Sequence, residues 1–310
     1  MKLFGRKSTL ASREATAAYV FLSPWLIGLI CFMIIPIILS LALSFTRWDT
    51  YTPVKWIGLS NYKEMFVEDR LFLKSLGVTL KFMAVWEPLH IILGVLLALL
   101  LNQKLRGMNF FRTLFYAPAV ISGIAVALMW MSLLDPDFGV VNYILEGWLG
   151  VQKAPNWLRS PIWAMPSLWM MYTWGVGGSA VIYLAGLQNI SPHLYEAAEI
   201  DGAGSWRKFW NVTLPLLSPT IFFMLITGLI GGFQTFTQAY VVGGSGSGLG
   251  GPDHSLLFYM LHLYQQAFIQ GRMGYGAALA WFLVVIAVIV VFVVFGTSER
   301  WVYYESGKKA

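Results

Sequence analysis

The residues best equipped for chemistry fall in one short stretch, EAAEIDGAGSWRKFWNVTLP, from Glu196 to Pro215. Three acids (Glu196, Glu199, Asp201) and two bases (Arg207, Lys208) sit there between two long apolar runs. Elsewhere no nucleophile and base can be paired. The four histidines, His90, His193, His254 and His262, are scattered without metal-ligand spacing, so no metal site is expected. No GxxxxGK[ST] phosphate loop occurs, and the glycine cluster at 243–251 lacks the Lys and Ser/Thr that would complete one. The single cysteine, Cys31, lies inside an apolar run, has no intrachain partner, and reads as a small buried hydrophobe.

Two further charges lie where the surroundings are apolar. Glu87 and Lys81 are the charges well inside hydrophobic runs. Ionisable groups in such places are functional candidates by default. Six residues apart, they project from different faces of a helix, so they are not expected to pair; Lys81 is near enough to a run's end to snorkel. Glu87, between Trp86 and Pro88, is a candidate for lining a solute path or for a contact to a partner.

What must position these groups is a set of membrane helices. The 310 residues are 57% hydrophobic, 16% aromatic and only 12% charged, against about 25% charged in a soluble domain. Six apolar runs approach or exceed the ~20 residues that cross a bilayer core, at about 19–44, 75–101, 113–134, 162–187, 218–242 and 276–296. Helices are expected because lipid offers no partner for backbone polar groups. The first run is too long, and carries Pro24 and Pro36, for a cleaved leader. The fold class is thus an all-α membrane protein of six transmembrane helices, with a membrane domain over 18–300 between tails at 1–17 and 301–310.

Lys and Arg decide the orientation. With the N-terminus inside, twelve fall on the inner side and eight on the outer, where eight acids neutralise them. The net charge of +6 then resides on the inner face, which accounts for a basic chain without nucleic acid. An even number of spans puts both termini in the cytoplasm, and with them the charged loop at 188–217.

That loop reads as two short helices with a break. Ser191 is a candidate N-cap and Pro192 suits a first helical position, giving a helix over Pro192 to Ile200 with Leu194, Ala197 and Ala198 on one face. Gly202 suits the left-handed residue that ends it. Ser205 is expected to cap a second helix carrying Trp206, Phe209 and Trp210, and Pro215 to open the next span. Spacing and charge alone leave two readings open: an amphipathic connector on the membrane surface, or a docking element for a cytoplasmic partner.

The frame Glu196-Ala197-Ala198, three residues, Gly202, nine residues, Val212, one residue, Leu214-Pro215 resembles the EAA loop of ABC importer permeases, with Val212 where that family usually has Ile. The longer pattern EAAEIDGAG…F…VTLPLLSP resembles its sugar-importing branch, that of the maltose and glycerol-3-phosphate permeases. WIGLSNYKEMF (56–66), GMNFFRTLFYAPAVISGIAVALMW (107–130), FGVVNYIL (138–145) and YLAGLQNISPHLYEAA (183–198) extend the likeness over nearly the whole chain. Val78 departs from the frequent Asn, and VVGGSGSGLGGP (241–252) carries extra Gly and Ser.

The resemblance implies a type I ABC importer permease fold and a mechanism. The first short helix would seat in a groove of a separate ATPase subunit. Glu196 would meet a polar or basic group there, Ala197, Ala198, Gly202 and Ala203 would permit close packing, and Asp201 would hold the break. Leu214 and Pro215 would join the loop to the fifth span. The implied partners are a second permease subunit, two ABC ATPases and an extracytoplasmic solute-binding protein. ATP and Mg would be used by the ATPase, with no cofactor bound by this chain. The solute would be a sugar, oligosaccharide or sugar-like molecule. Its path would need flat aromatic faces and hydrogen-bonding groups: Tyr172, Trp174 and Gly175 in the fourth span, and Gln234 and Thr235 among the polar residues of the fifth, which also include Thr227 and Gln238. Small and hydroxyl residues also serve helix packing in membranes. An ion-gradient-driven transporter is the alternative, with Glu87 as its sole candidate ion carboxylate.

Overall fold

The computed structural model describes residues 10–244 and 249–303. The Gly/Ser segment at 245–248 and the ends of both tails lie outside them. The chain starts with α1 (Leu10–Leu29) and α2 (Ile35–Ser44), joined without interruption by a π-helical turn, Ile30–Ile34. Pro36 has no N–H for the Phe32 carbonyl, and the wider turn just before it takes up the mismatch. This long helix lies at the edge of the bundle, its Ala17–Ser44 segment almost wholly exposed. Cys31 is exposed there too, not buried; an outer helix facing hydrocarbon exposes apolar side chains at no cost.

A hairpin of β1 (Thr46–Arg47) and β2 (Lys55–Trp56) and the short α3 (Ser60–Val67) follow. Asn61 fastens α3 to the end of α2, donating to the Ser44 and Thr46 carbonyls at 2.8 and 2.9 Å. The central helix is α4 (Arg70–Leu101). Asp69 caps it by accepting from the Leu71 and Phe72 N–H groups. Its buried face, from Phe72 through Phe82 and Trp86 to Leu101, packs against several of the other helices.

Next come α5 (Met108–Val120) and α6 (Gly123–Leu133), meeting at 97° across Ile121 and Ser122. The third apolar run is therefore a bent pair of helices, not one straight helix. After α7 (Val140–Gly147), the fourth run is also divided, into α8 (Ala164–Trp174) and α9 (Gly177–Gln188). At Gly177 a Cβ would collide with the Phe115 carbonyl, so glycine there lets α9 lie directly on α5. The loop helices α10 (Pro192–Ile200) and α11 (Ser205–Lys208) lead to α12 (Leu214–Phe233), α13 (Thr237–Gly243), α14 (Tyr259–Tyr264) and α15 (Met273–Ser298).

By length and composition, four helices among the described residues are long and apolar enough to cross a membrane: Ala17–Ser44, Arg70–Leu101, Ser205–Gly243 and Met273–Ser298. Counting the bent α5–α6 pair as one makes five, where hydropathy led to an expectation of six. The shortfall is the fourth run, whose two halves of 11 and 12 residues each fall short of the ~20 a crossing needs.

At the end of the bundle where α4 begins, a polar knot ties α4, α14 and α15 together. His262 of α14 is fully buried, with Nε2 2.7 Å from Asp69 Oδ2, and the Tyr275 hydroxyl donates to the same oxygen at 2.6 Å. Arg272 bonds Glu64 and Gln266 and stacks over the Tyr275 ring at 4.6 Å.

Candidate coupling loop and solute cavity

The charged loop folds largely as its sequence dictates. The α10 helix spans Pro192–Ile200, with Ser191 extended (φ −60°, ψ 128°) at the N-cap position. Its hydroxyl makes no capping bond; Pro192 removes one orphan N–H and lessens the need for one. At the other end Gly202 takes φ +74°, the left-handed stop expected of it. The backbone closes the turn: the N–H groups of Asp201, Gly202 and Ala203 donate to the carbonyls of Ala197, Glu199 and Ala198. The Asp201 side chain makes no hydrogen bond among the described residues, so here the break is held by main chain alone.

The second half differs from expectation in two ways. Gly204, not Ser205, is the N-cap of α11, and it supplies no side-chain bond. Pro215 does stand at the opening of α12, but no break separates that helix from α11. From Ser205 the helix runs through a π-helical turn, Phe209–Thr213, into α12, with Pro215 in that helix's first turn. A π-turn ending two residues before a proline repeats the arrangement before Pro36, for the same steric reason.

One face of α10 is fixed and the other is bare. The Tyr195 hydroxyl lies 3.0 Å from Thr213 Oγ1, and Lys208 Nζ lies 2.6 Å from Glu199 Oε1. Ala198 and Ala203 are half-buried against the bundle. Outward lie Leu194 (46% exposed), Ala197 and Ile200 (88% exposed). Beside them Glu196 is exposed, with His193 Nδ1 3.0 Å from its carboxylate. Leu214 and Pro215 are half-buried where the loop enters α12.

A cavity of about 350 Å³ lies where the broken helices meet. The α8–α9 break supplies Tyr172, Trp174 and Gly175, three of the residues expected on a solute path. The bend of α5–α6 supplies Pro118, Ile121 and Gly123, α4 supplies Trp86 and His90, and α13 supplies Gln238. The Tyr172 hydroxyl donates to Gln238 Oε1 at 2.9 Å. Trp86 and His90 stack 5.1 Å apart at 19°, Trp86 meets Tyr172 edge-on at 5.5 Å, and His90 Nδ1 has no partner. The walls thus pair aromatic faces with a few neutral polar atoms, the composition that holds a sugar ring. Gly123 admits Gln238: a Cβ there would come within 3.1 Å of the amide nitrogen.

The remaining path candidates stand apart from this cavity. Thr235 is buried and does not line it. Gln234 is exposed at the break after α12. Glu87 is 4% exposed and points at Gly228 of α12, while Lys81 is exposed, so the two do face apart. Trp86, His90 and Gly123 escaped the sequence reading. The signal available was WEPLH, which sets two flat rings at i and i+4 around a proline. Among the described residues no group of His, Cys, Asp and Glu is arranged to hold a metal.

A family model described as binding-protein-dependent transport system inner membrane component matches residues 90–303. The probable ABC transporter permease protein YesP of Bacillus subtilis is 41% identical over 97% of this chain and 96% of its own. The lactose transport system permease protein LacF of Rhizobium radiobacter is 34% identical over 95% and 98%. The trehalose/maltose transport system permease protein MalF of Thermococcus litoralis is 33% identical over 94% and 98%. A chain in the crystal structure of a bacterial ABC transporter involved in import of the acidic polysaccharide alginate aligns with a TM-score of 0.80 at 26% identity, over 93% of this chain and 96% of that one. Permeases of this kind leave ATP hydrolysis to a separate subunit, and the ion-gradient alternative finds no support. This chain belongs to the family of inner membrane components of binding-protein-dependent transport systems, as a multi-pass permease subunit of an ABC importer.

Proposed function

We propose that this permease passes a sugar or oligosaccharide through a path that includes the cavity at the α5–α6 and α8–α9 breaks, and that α10 couples the path to a separate ATPase. The observation that carries the reading is one continuous connection. The bare face of α10 is tied through Tyr195 and Thr213 to a helix that runs unbroken into α12. Beyond the end of α12 lies α13, whose Gln238 bonds Tyr172 in the cavity wall. A push on α10 therefore moves α12 with it and reaches the cavity across the α12–α13 break through Gln238.

In the membrane this chain crosses six times, the broken α5–α6 and α8–α9 pairs counting as one crossing each, with both termini and the 188–217 loop in the cytoplasm. Broken helices suit a solute path, since irregular backbone at membrane depth is tolerated where it lines a cavity. The assembly comprises a second permease subunit, two ABC ATPases that consume ATP and Mg, and an extracytoplasmic solute-binding protein. Glu196, Ala197, Ala198, Asp201, Gly202 and Ala203 form the docking element. Thr227, exposed on α12, and Gln234, exposed just after it, face the path from the side of the second permease. Support for the sugar comes from the cavity walls and from the lactose and trehalose/maltose permeases among the relatives.

The test is reconstitution of the copurified complex in liposomes with labelled oligosaccharides, with and without internal ATP. ATP-dependent accumulation that is lost in Glu196→Lys, while the subunits still copurify, is the expected result. Uptake by the permease alone under an ion gradient overturns the proposal.

A further inference from the structure

A face of α4 other than the one bordering the solute cavity carries a second cleft, of about 530 Å³, with no residue in common with the first. Its walls are apolar, built from Met83 and Ile91 of α4, Leu225, Leu229 and Phe233 of α12, and Val290 of α15. One polar side chain lines it: Glu87, buried, with no hydrogen-bond partner for Oε1. Gly228 makes the room, since a Cβ there would collide with the carboxyl. Tyr183 of α9, also buried, does not bond it. Pro88, on the cleft wall, has no N–H to give the Ala84 carbonyl one turn back.

The mouth shows what the cleft opens to. Leu80, Ala84, Pro88 and Ile92 recur every four residues along α4, all exposed and all apolar. The exposed residues of α12 are mixed: Phe223 and Ile230 alternate with Thr227 and Gly231, the latter two being small or hydroxyl types that suit protein contact or a solute path. The cleft mouth suits hydrocarbon. A lone carboxylate there would be very costly, so the carboxyl calls for a hydrogen-bonding partner inside the cleft.

We propose that the Glu87 cleft is a ligand site entered from the lipid, taking an apolar molecule with a single hydroxyl that both donates to and accepts from the Glu87 acid. It is independent of the sugar reading, since no cavity residue takes part.

The probe is dicyclohexylcarbodiimide, added to the full-length protein with its copurifying subunits in liposomes. The Glu87 oxygen bonds the central carbon of the reagent and its proton passes to one nitrogen. The acyl group then migrates from oxygen to the other nitrogen, leaving an N-acylurea that carries the whole reagent mass, with no leaving group. Peptide mapping by mass spectrometry is expected to place the adduct on Glu87 and to find it absent from Glu87→Gln. Ala84→Trp, which plugs the mouth and keeps the acid, is expected to slow labelling at least tenfold. Hexadecanol is expected to slow it several-fold, and hexadecane not. An unlabelled Glu87 in folded protein, equal labelling by a water-soluble cationic carbodiimide, or equal protection by hexadecane overturns the proposal.

Discussion

The hydroxyls of Tyr195 and Thr213 lie 3.0 Å apart, joining the middle of α10 to the π-turn that feeds α12. With the Lys208–Glu199 pair, this bond makes α10 and α12 one body. A net hydrogen bond is worth about 1 kcal/mol, enough to loosen the joint without unfolding the loop. Tyr195→Phe is expected to lower solute moved per ATP hydrolysed several-fold while the ATPase still copurifies. An unchanged ratio would mean that force enters by another route.

Gly202 offers a test of the loop's shape rather than its charge. At φ +74° any side chain is strained, by roughly 1 kcal/mol or more. No atom crowds the missing Cβ, so Gly202→Ala acts through backbone alone. It is expected to weaken ATP-coupled uptake moderately, and Gly202→Trp to abolish it through the added bulk on the docking face, with both proteins inserted normally. Equal uptake in wild type and Gly202→Trp would remove the docking role.

The loop was legible because its signals are local: Pro192 at the first turn, Gly202 at the stop, and the Glu196-Ala197-Ala198 frame. The bends were not. Hydropathy treats 113–134 and 162–187 as uniform grease, and nothing in a window average registers that Ile121-Ser122 and Gly175-Val176 break the helix. Pro118 and the glycines of the fourth run were visible hints, but a glycine that packs one helix on another looks the same in sequence as one that breaks a helix. The cavity depends on those bends, and on Trp86, His90 and Gln238 arriving from elements far apart in the chain. Tyr172 and Trp174 were found because they cluster in sequence; Trp86 and His90 were not, because their neighbours in space lie on other helices.

The Tyr172–Gln238 bond gives the cavity a prediction of its own. Gln238→Ala frees the Tyr172 hydroxyl and removes an amide from the wall, so the oligosaccharide concentration for half-maximal uptake is expected to rise by about five- to thirtyfold, the range of one to two hydrogen bonds. Trp86→Ala, which removes a stacking face, is expected to have an effect at least as large. Gln234→Ala, on the far side of the α12–α13 break, is expected to change the solute profile less than either. If Gln234→Ala shifts uptake and Gln238→Ala does not, the path runs along the exposed stripe of α12 instead.

The knot at Asp69 predicts how stability depends on acidity. Burial by itself would raise this carboxyl, which is 12% exposed, but the hydrogen bonds from His262 and Tyr275 outweigh it and hold the group at about 2, against an ordinary 3.8. A carboxylate with a lowered value stabilises the fold fully above its unfolded value and loses that contribution as pH falls through the folded one. The gap of nearly two units corresponds to on the order of 2 kcal/mol at neutral pH, with about half gone by pH 3. Asp69→Asn removes the titrating group, so the mutant's melting temperature in detergent is expected to fall well below wild type at pH 7 and to approach it as both are acidified toward pH 3. A difference between the two proteins that stays constant from pH 7 to pH 3 would show that Asp69 does not titrate as this network requires.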